Sequence, residues 1–217
     1  MSRILYSGTK NASSWSFRAW LALKEARVEF EEEVVDIRMP QRLANLARIG
    51  TFSPPAAVPV LVDDDAVIYD SLAITEYANE LANGELLPGT ITSRAHARSL
   101  LAWQHAGLSG TCPQLSFESA FYPDRREMTD VEAAEAARIF QVWERELEHS
   151  GGPFLAGALS LADLAFVPTV LRLTSHAKTL DPWPSVRTWV ERLLARPTVR
   201  EWLEVAGALP VVRTDGY

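Results

Sequence analysis

Three short stretches hold the side chains best suited to chemistry. Asn11-Ala12-Ser13-Ser14-Trp15-Ser16 offers a carboxamide and three hydroxyls at the start of a helix-like pattern. Hydroxyls at a helix N-terminus are well placed to stabilise a developing anion. The four histidines, His96, His105, His149 and His176, lie far along the chain, so a Ser–His nucleophile has no local support. Two roles stay open for these hydroxyls, plain N-capping and donation to a thiolate brought by a ligand. Lowering a thiol pKa by two pH units requires about 2.7 kcal/mol of preferential stabilisation. A charge-assisted hydrogen bond plus a helix terminus reaches that order.

The second stretch is Val58-Pro59, directly before a strand-like run. Proline lacks the N–H that a central ladder needs, so it suits a strand's first position or a cis peptide. A cis bond would turn the backbone of Val58 outward, where it could pair with an extended peptide; a trans proline would simply start the strand. The third stretch is Asp70-Ser71, at the start of another helical pattern. Free N–H groups and the helix dipole favour an anion there, with the Ser71 hydroxyl as a further donor. Asp70 could hold an ammonium beside it, a pairing that suits a zwitterionic α-amino acid head, or serve as an N-cap alone.

The elements that position these residues follow from periodicity. Arg3 to Ser7 is short and β-prone, and Gly8-Thr9-Lys10-Asn11-Ala12 is a polar break. From Ser13 the pattern turns helical, with Trp15, Ala19, Ala22 and Ala26 at spacings of three or four. Val28 to Ile37 reads as a second strand, and Pro40 suits the first turn of a helix through about Ile49. Val58 to Val62 and Ala66 to Tyr69 make a hairpin, and a helix follows from Asp70 to about Leu81. The order is β-α-β-α-β-β-α. Asn83-Gly84-Glu85-Leu86-Leu87-Pro88-Gly89 is the linker candidate, and beyond it the strand signal disappears. Helical periodicity covers Ser93 to about Ser109, Asp130 to Ser150, Leu161 to Thr174, Ser185 to Ala195 and Val199 to Ala206. A small α/β domain therefore precedes an all-helical one.

Composition narrows the function. The 217 residues carry 21 Lys and Arg against 28 Asp and Glu, a net charge of −7, which argues against a nucleic-acid partner. No apolar run approaches the ~20 residues of a membrane span, and the N-terminus turns polar too early for a signal peptide. The expectation is a cytoplasmic protein. A single cysteine, Cys112, excludes an intrachain disulfide, a CxxC pair and a multi-cysteine zinc site, and reads as a packed thiol. Asp63-Asp64-Asp65 is expected as a solvated hairpin tip rather than a metal site, and Glu31-Glu32-Glu33 as a solvated strand edge. The seven tryptophans are expected mostly in the core.

The series of motifs resembles the cytosolic glutathione transferases over nearly the whole chain. Asn11-Ala12-Ser13-Ser14-Trp15-Ser16-Phe17-Arg18 is similar to the SSWSLR-type start of a bacterial, serine-type branch. Val58-Pro59-Val60-Leu61, followed by Asp70-Ser71-Leu72-Ala73-Ile74, resembles the superfamily's glutathione-binding signature. Phe154-Leu155-Ala156-Gly157 and Ser160-Leu161-Ala162-Asp163 match its helix-start capping motif, a structural piece in which a hydroxyl and a carboxylate cap reciprocally.

The resemblance implies a thioredoxin-like glutathione-binding domain at 1–82, a linker at 83–89 and an all-helical domain at 90–217 with a hydrophobic acceptor site. It implies glutathione as co-substrate, no metal, and attack of its thiolate on a small hydrophobic electrophile, as in detoxification. Non-enzymatic binding or regulation, and zeta-type cis-trans isomerisation, are the alternatives. Val58 would pair with the cysteinyl part of glutathione, with Pro59 cis, while Asp70 and Ser71 would hold the γ-glutamyl end. Ser13, five residues before Arg18, would stabilise the thiolate, with Ser14 as runner-up and Asn11 at the zeta-type position. Family members often carry a basic residue where Ala57 stands, and Glu where Asp70 stands. The glycyl carboxylate would then be left without that contact or fall to Gln41, Arg42 or Arg48. A homodimer is expected.

Overall fold

The computed structural model describes residues 2–108 and 114–211, so Cys112 lies outside the described residues. The chain divides into two compact units. The first holds the residues to Glu85 together with the segment beginning at Glu201, and the second runs from Leu86 to Arg200.

The first unit contains β1 (Arg3–Gly8), α1 (Ser14–Glu25), β2 (Glu31–Val35), α2 (Arg42–Gly50), β3 (Val60–Asp63), β4 (Ala66–Tyr69) and α3 (Ser71–Leu81). The sheet order is β2-β1-β3-β4, with β1 parallel to β2 and antiparallel to β3, and β3 antiparallel to β4. Strand alternation sorts the core. Tyr6, Val35, Val60 and Val62 gather on one face with Ile49 of α2 and Phe52. The intervening residues Leu5, Leu61 and Asp63 face the other way, and Asp63 there meets Tyr77 of α3. Helices α1 and α3 pack against one another.

Two expectations in this unit are corrected. Pro40 does not open a helix: it lies in a turn after a cis Met39–Pro40 bond, and α2 begins at Arg42. Asp63 is not part of a solvated tip. It closes β3 opposite Arg3, whose Nε and Nη2 donate to Oδ2 at 2.8 and 2.6 Å, and the Tyr77 hydroxyl donates to the same oxygen at 2.8 Å. Burial alone would raise the Asp63 carboxyl, but Arg3 and Tyr77 outweigh it and hold the group below the usual carboxylate range.

The second unit contains α4 (Ile91–Ala102) continuing into a π-helical turn (Trp103–Gly107), a 3-10 turn (Glu118–Phe121), α5 (Asp130–Ser150), α6 (Leu161–Thr174) and α7 (Pro184–Leu194). The last helix, α8 (Pro197–Ala208), begins in this unit and continues into the first. Its starts are capped as their sequences dictate. Thr129 and Glu132 form a capping box on α5, and Arg126 grips Glu132 through Nη1 and Nη2, both at 2.6 Å. Ser160 and Asp163 form the box on α6. Asp163 is fully buried, and its carboxylate accepts from the N–H groups of Leu155 and Ser160, from the Ser160 hydroxyl and from Trp189 Nε1, all within 2.8–2.9 Å. Burial pushes the Asp163 carboxyl up, against the pull of these four donors. Trp143, Trp189, Trp202 and Trp20 are core residues, whereas Trp15 is 39% exposed. Among the described residues no helix is long and apolar enough to cross a membrane.

Two predictions follow from these caps. Asp163→Ala strands four buried donors and should cost at least about 3 kcal/mol of stability, read by chemical denaturation. Arg126, and then Thr129, hold Glu132 at about 2 against an ordinary 4.5. A depressed carboxylate contributes stability above its unfolded value, so this contribution should be full above pH 4.5 and disappear as pH falls to about 2. The stability gap between wild type and Glu132→Gln should therefore close over that range.

Candidate functional site

The sheet topology brings the three sequence stretches to one end. Tyr6 pairs with Val60, and Val60 with Tyr69. The C-terminal end of β1, the approach to β3 and the exit from β4 are therefore neighbours. Ser13, Val58-Pro59 and Asp70-Ser71 lie next to those three strand ends in sequence.

The link from β1 to α1 is hydrogen-bonded throughout. Thr9 N donates to Val35 O at 3.1 Å, and the Thr9 hydroxyl bridges Asp36 and the N–H of Ile37. Thr9 O accepts from Ala12 and Ser13, both at 2.9 Å. Ser13 is the N-cap, with extended backbone (φ −103, ψ 90), and its Oγ accepts from Ser16 N at 3.2 Å. The same hydroxyl donates to Ser16 Oγ at 2.8 Å, and Ser16 Oγ also accepts from Gly8 N at 2.8 Å. Gly8 is needed for this approach. A Cβ there would stand 2.8 Å from Ser13 Cβ and 3.0 Å from both Ser13 Oγ and Val58 Cγ2. Ser13 and Val58 thus meet at Gly8.

The other candidates differ in how far they are already engaged. Asn11 Nδ2 donates to Pro210 O at 3.1 Å. The buried Ser14, first residue of α1, has no hydrogen-bond partner for its hydroxyl among the described residues. The Val58–Pro59 bond is cis, and β3 starts one residue later. Neither the N–H nor the C=O of Val58 has a partner among the described residues. Asp70 caps α3: its Oδ1 accepts from Leu72 N at 2.7 Å, and its backbone sits at φ 71, unusual outside glycine. Such a conformation costs of order 1–3 kcal/mol and recurs at ligand clamps. Ser71 is buried at the first position of α3, its hydroxyl also unpartnered among the described residues. The N-termini of α1 and α3 both add partial positive charge here.

Of the basic candidates, Arg48 is ion-paired with Glu33, and Arg42 reaches Ile37 O at 3.4 Å. Gln41 is exposed. Among the described residues no cluster of three or more His, Cys, Asp or Glu side chains could hold a metal ion.

One residue escaped sequence reasoning. Lys10, placed there in a polar break, is only 6% exposed. Its Nζ donates to Glu32 Oε1 and Oε2 at 2.7 and 2.8 Å and lies 3.9 Å from the ring centroid of Trp202. Burial pulls the Lys10 ammonium below its usual value, with Glu32 opposing. Glu32 also accepts from Ser7 Oγ at 2.6 Å, so the middle of the acidic run is not the solvated edge expected of it. Neither the burial of Lys10 nor the partial cover of Glu32 has a local signal, because both depend on the register of β1 against β2.

A four-stranded mixed sheet of this order, carrying three helices and followed by a helical unit, defines a thioredoxin-like domain joined to an all-α one. The family model "Glutathione S-transferase, N-terminal domain" matches residues 12–81, and "Glutathione S-transferase, C-terminal domain" matches 114–205. The chain is 31% identical over 201 residues to a probable maleylacetoacetate isomerase of Caenorhabditis elegans, covering 89% of each. It is 30% identical over 194 residues to glutathione S-transferase 4 of Zea mays, covering 83% of each. The solved structure of glutathione S-transferase-I with lactoylglutathione bound is similar at TM-score 0.76 and 26% identity, over 94% of this chain and 100% of that one. The chain belongs to the glutathione S-transferase family.

Gly8→Ala tests the geometry of this end. The added methyl must displace Ser13 or Val58, and we expect a loss of about 1–3 kcal/mol in chemical denaturation.

Proposed function

We propose that the chain is a serine-type glutathione transferase, conjugating the thiolate of glutathione to small hydrophobic electrophiles. The observation that carries this reading is the backbone of Val58. Its N–H and C=O are free, at the sheet end where two helices begin, and so can take an extended tripeptide. In this reading Asp70 holds the γ-glutamyl ammonium, while Ser71 and the start of α3 take the neighbouring carboxylate. The glycyl carboxylate falls to Gln41 or Arg42, since Arg48 is engaged by Glu33.

The thiolate meets the Ser13–Ser14 pair. Ser14 can donate without losing a bond, whereas Ser13 would exchange its bond to Ser16 for one to sulfur. Residues 1–82 act as the glutathione-binding domain, with the segment from Glu201 packed into the same unit, 83–89 act as linker, and the helices between 90 and 200 supply apolar contacts to the electrophile. The protein is proposed to work as a cytoplasmic homodimer.

A second reading, glutathione-dependent cis-trans isomerisation, is favoured by the likeness to the C. elegans protein. Turnover of a cis-dienoic diacid without net glutathione consumption would select it. Calorimetric titration with glutathione separates both enzymatic readings from a binding or regulatory role that does not use glutathione. Binding at millimolar ligand is expected, and its absence would overturn the proposal.

Ser14→Ala should remove one charge-assisted hydrogen bond, raising the pKa of bound glutathione and cutting conjugation of a generic aryl halide about 10–100-fold. Ser13→Ala should act in the same direction and also lower stability by about 1 kcal/mol through loss of the cap. Wild-type turnover in both variants would remove the serines from the chemistry.

A further inference from the structure

We propose that the segment beginning at Glu201 is a positioning device for the loop that presents Ser13 and Ser14, with the contact between Lys10 and Trp202 at its centre. What is positioned rests on the glutathione reading above; the contacts themselves do not.

The loop is held from that segment at two successive residues. Trp202 Nε1 donates to Lys10 O at 2.9 Å, and Asn11 Nδ2 donates to Pro210 O at 3.1 Å. The fully buried Trp202 indole also stacks on Phe17 of α1, with centroids 4.7 Å apart and planes 13° from parallel. The Lys10 ammonium sits against the same indole and is tied to Glu32 of β2. The residues just ahead of α1 are thereby gripped between the edge strand on one side and α8 on the other.

The chemistry of the grip argues for geometry over stability. A buried ion pair adds little net stability relative to a packed apolar pair, because desolvation offsets the attraction. It does impose direction. Lys10 must lie where its ammonium meets both carboxylate oxygens and the face of the indole, and its carbonyl where the indole N–H can reach it. An apolar side chain at position 10 would fill the space and leave the loop's backbone free to rotate. Misplacement of a reacting group by about 1 Å can cost 10²-fold in rate, so a device that sets only the loop's course can matter to turnover.

Two variants test this. Trp202→Phe removes the indole N–H and keeps an aromatic ring beside Phe17. The double variant Lys10→Met/Glu32→Gln removes the ion pair while keeping neutrality and the acceptor for Ser7. Lys24→Gln is the control, since it breaks the partly exposed pair with Glu201 at 2.9 Å, from α1 to the same helix, and a contact with the Trp20 ring, while leaving both bonds to the loop in place. In ligand-free protein, amide hydrogen exchange across 12–17 should be at least about tenfold faster in both test variants, with the rest of the unit protected as in wild type. With glutathione and an aryl halide, kcat should fall about tenfold or more while the KM for glutathione stays within about threefold. Lys24→Gln should change neither.

Unchanged exchange across the loop in both test variants would overturn the proposal. So would acceleration spread evenly over the unit with a matching fall in melting temperature, which is simple destabilisation. Local acceleration with wild-type kcat would likewise overturn it. If wild-type protein binds no glutathione, the function reading fails, and the exchange measurement alone decides whether the segment holds the loop.

Discussion

The hydroxyl of Ser16 ties the end of β1 to the start of α1 in the first unit. It accepts from the last residue of β1 through Gly8 N and from the N-cap of α1 through Ser13. One buried oxygen thus joins a strand end to a helix start, with no room for a side chain between them. Each donor it satisfies would otherwise be a buried polar group without a partner, which is costly away from water. The position of Ser13, the seat of Val58 against Gly8 and the direction in which α1 leaves the sheet all depend on this contact.

Charge is handled locally in a protein whose net charge is −7. The buried and half-buried carboxylates are matched by specific cations: Asp63 by Arg3, Glu32 by Lys10 and Glu132 by Arg126. Asp163 and Glu144 differ: neutral donors surround Asp163, and the N–H groups of Ser185 and Val186 hold the buried Glu144 carboxylate. At the sheet end, by contrast, the helix starts supply backbone dipoles and hydroxyls.

The family relationship and the local geometry carry different weights. Family membership accounts for the two-part architecture and for the capping box at Ser160 and Asp163, whose work lies wholly within the helical unit. The availability of the Val58 backbone and the contrast between a committed Ser13 and an uncommitted Ser14 are properties of this chain's own hydrogen bonding. The first set explains why the chain folds as it does. The second bears on what it can bind.

What the amino-acid sequence determined by itself is what short-range physics controls. Helical and strand periodicity, the caps at Ser13, Asp70 and Ser160, and the hairpin from Val60 to Tyr69 depend on residues a few positions apart, and all were legible. So were the stretches that meet at the sheet end, because each is punctuated by a serine, a proline or an acidic cap. Tertiary structure alone decided the burial of Lys10 and Asp63 and the half-burial of Glu32. Each looked like a solvated charge in its own neighbourhood, and strand pairing brought Glu32 beside Lys10 and Asp63 beside Arg3. It also decided that the segment after Glu201 would pack with the first unit, where Trp202 closes over a loop some 190 residues earlier. Contacts at that separation depend on which surfaces the folded chain leaves adjacent, and local spacing does not encode them.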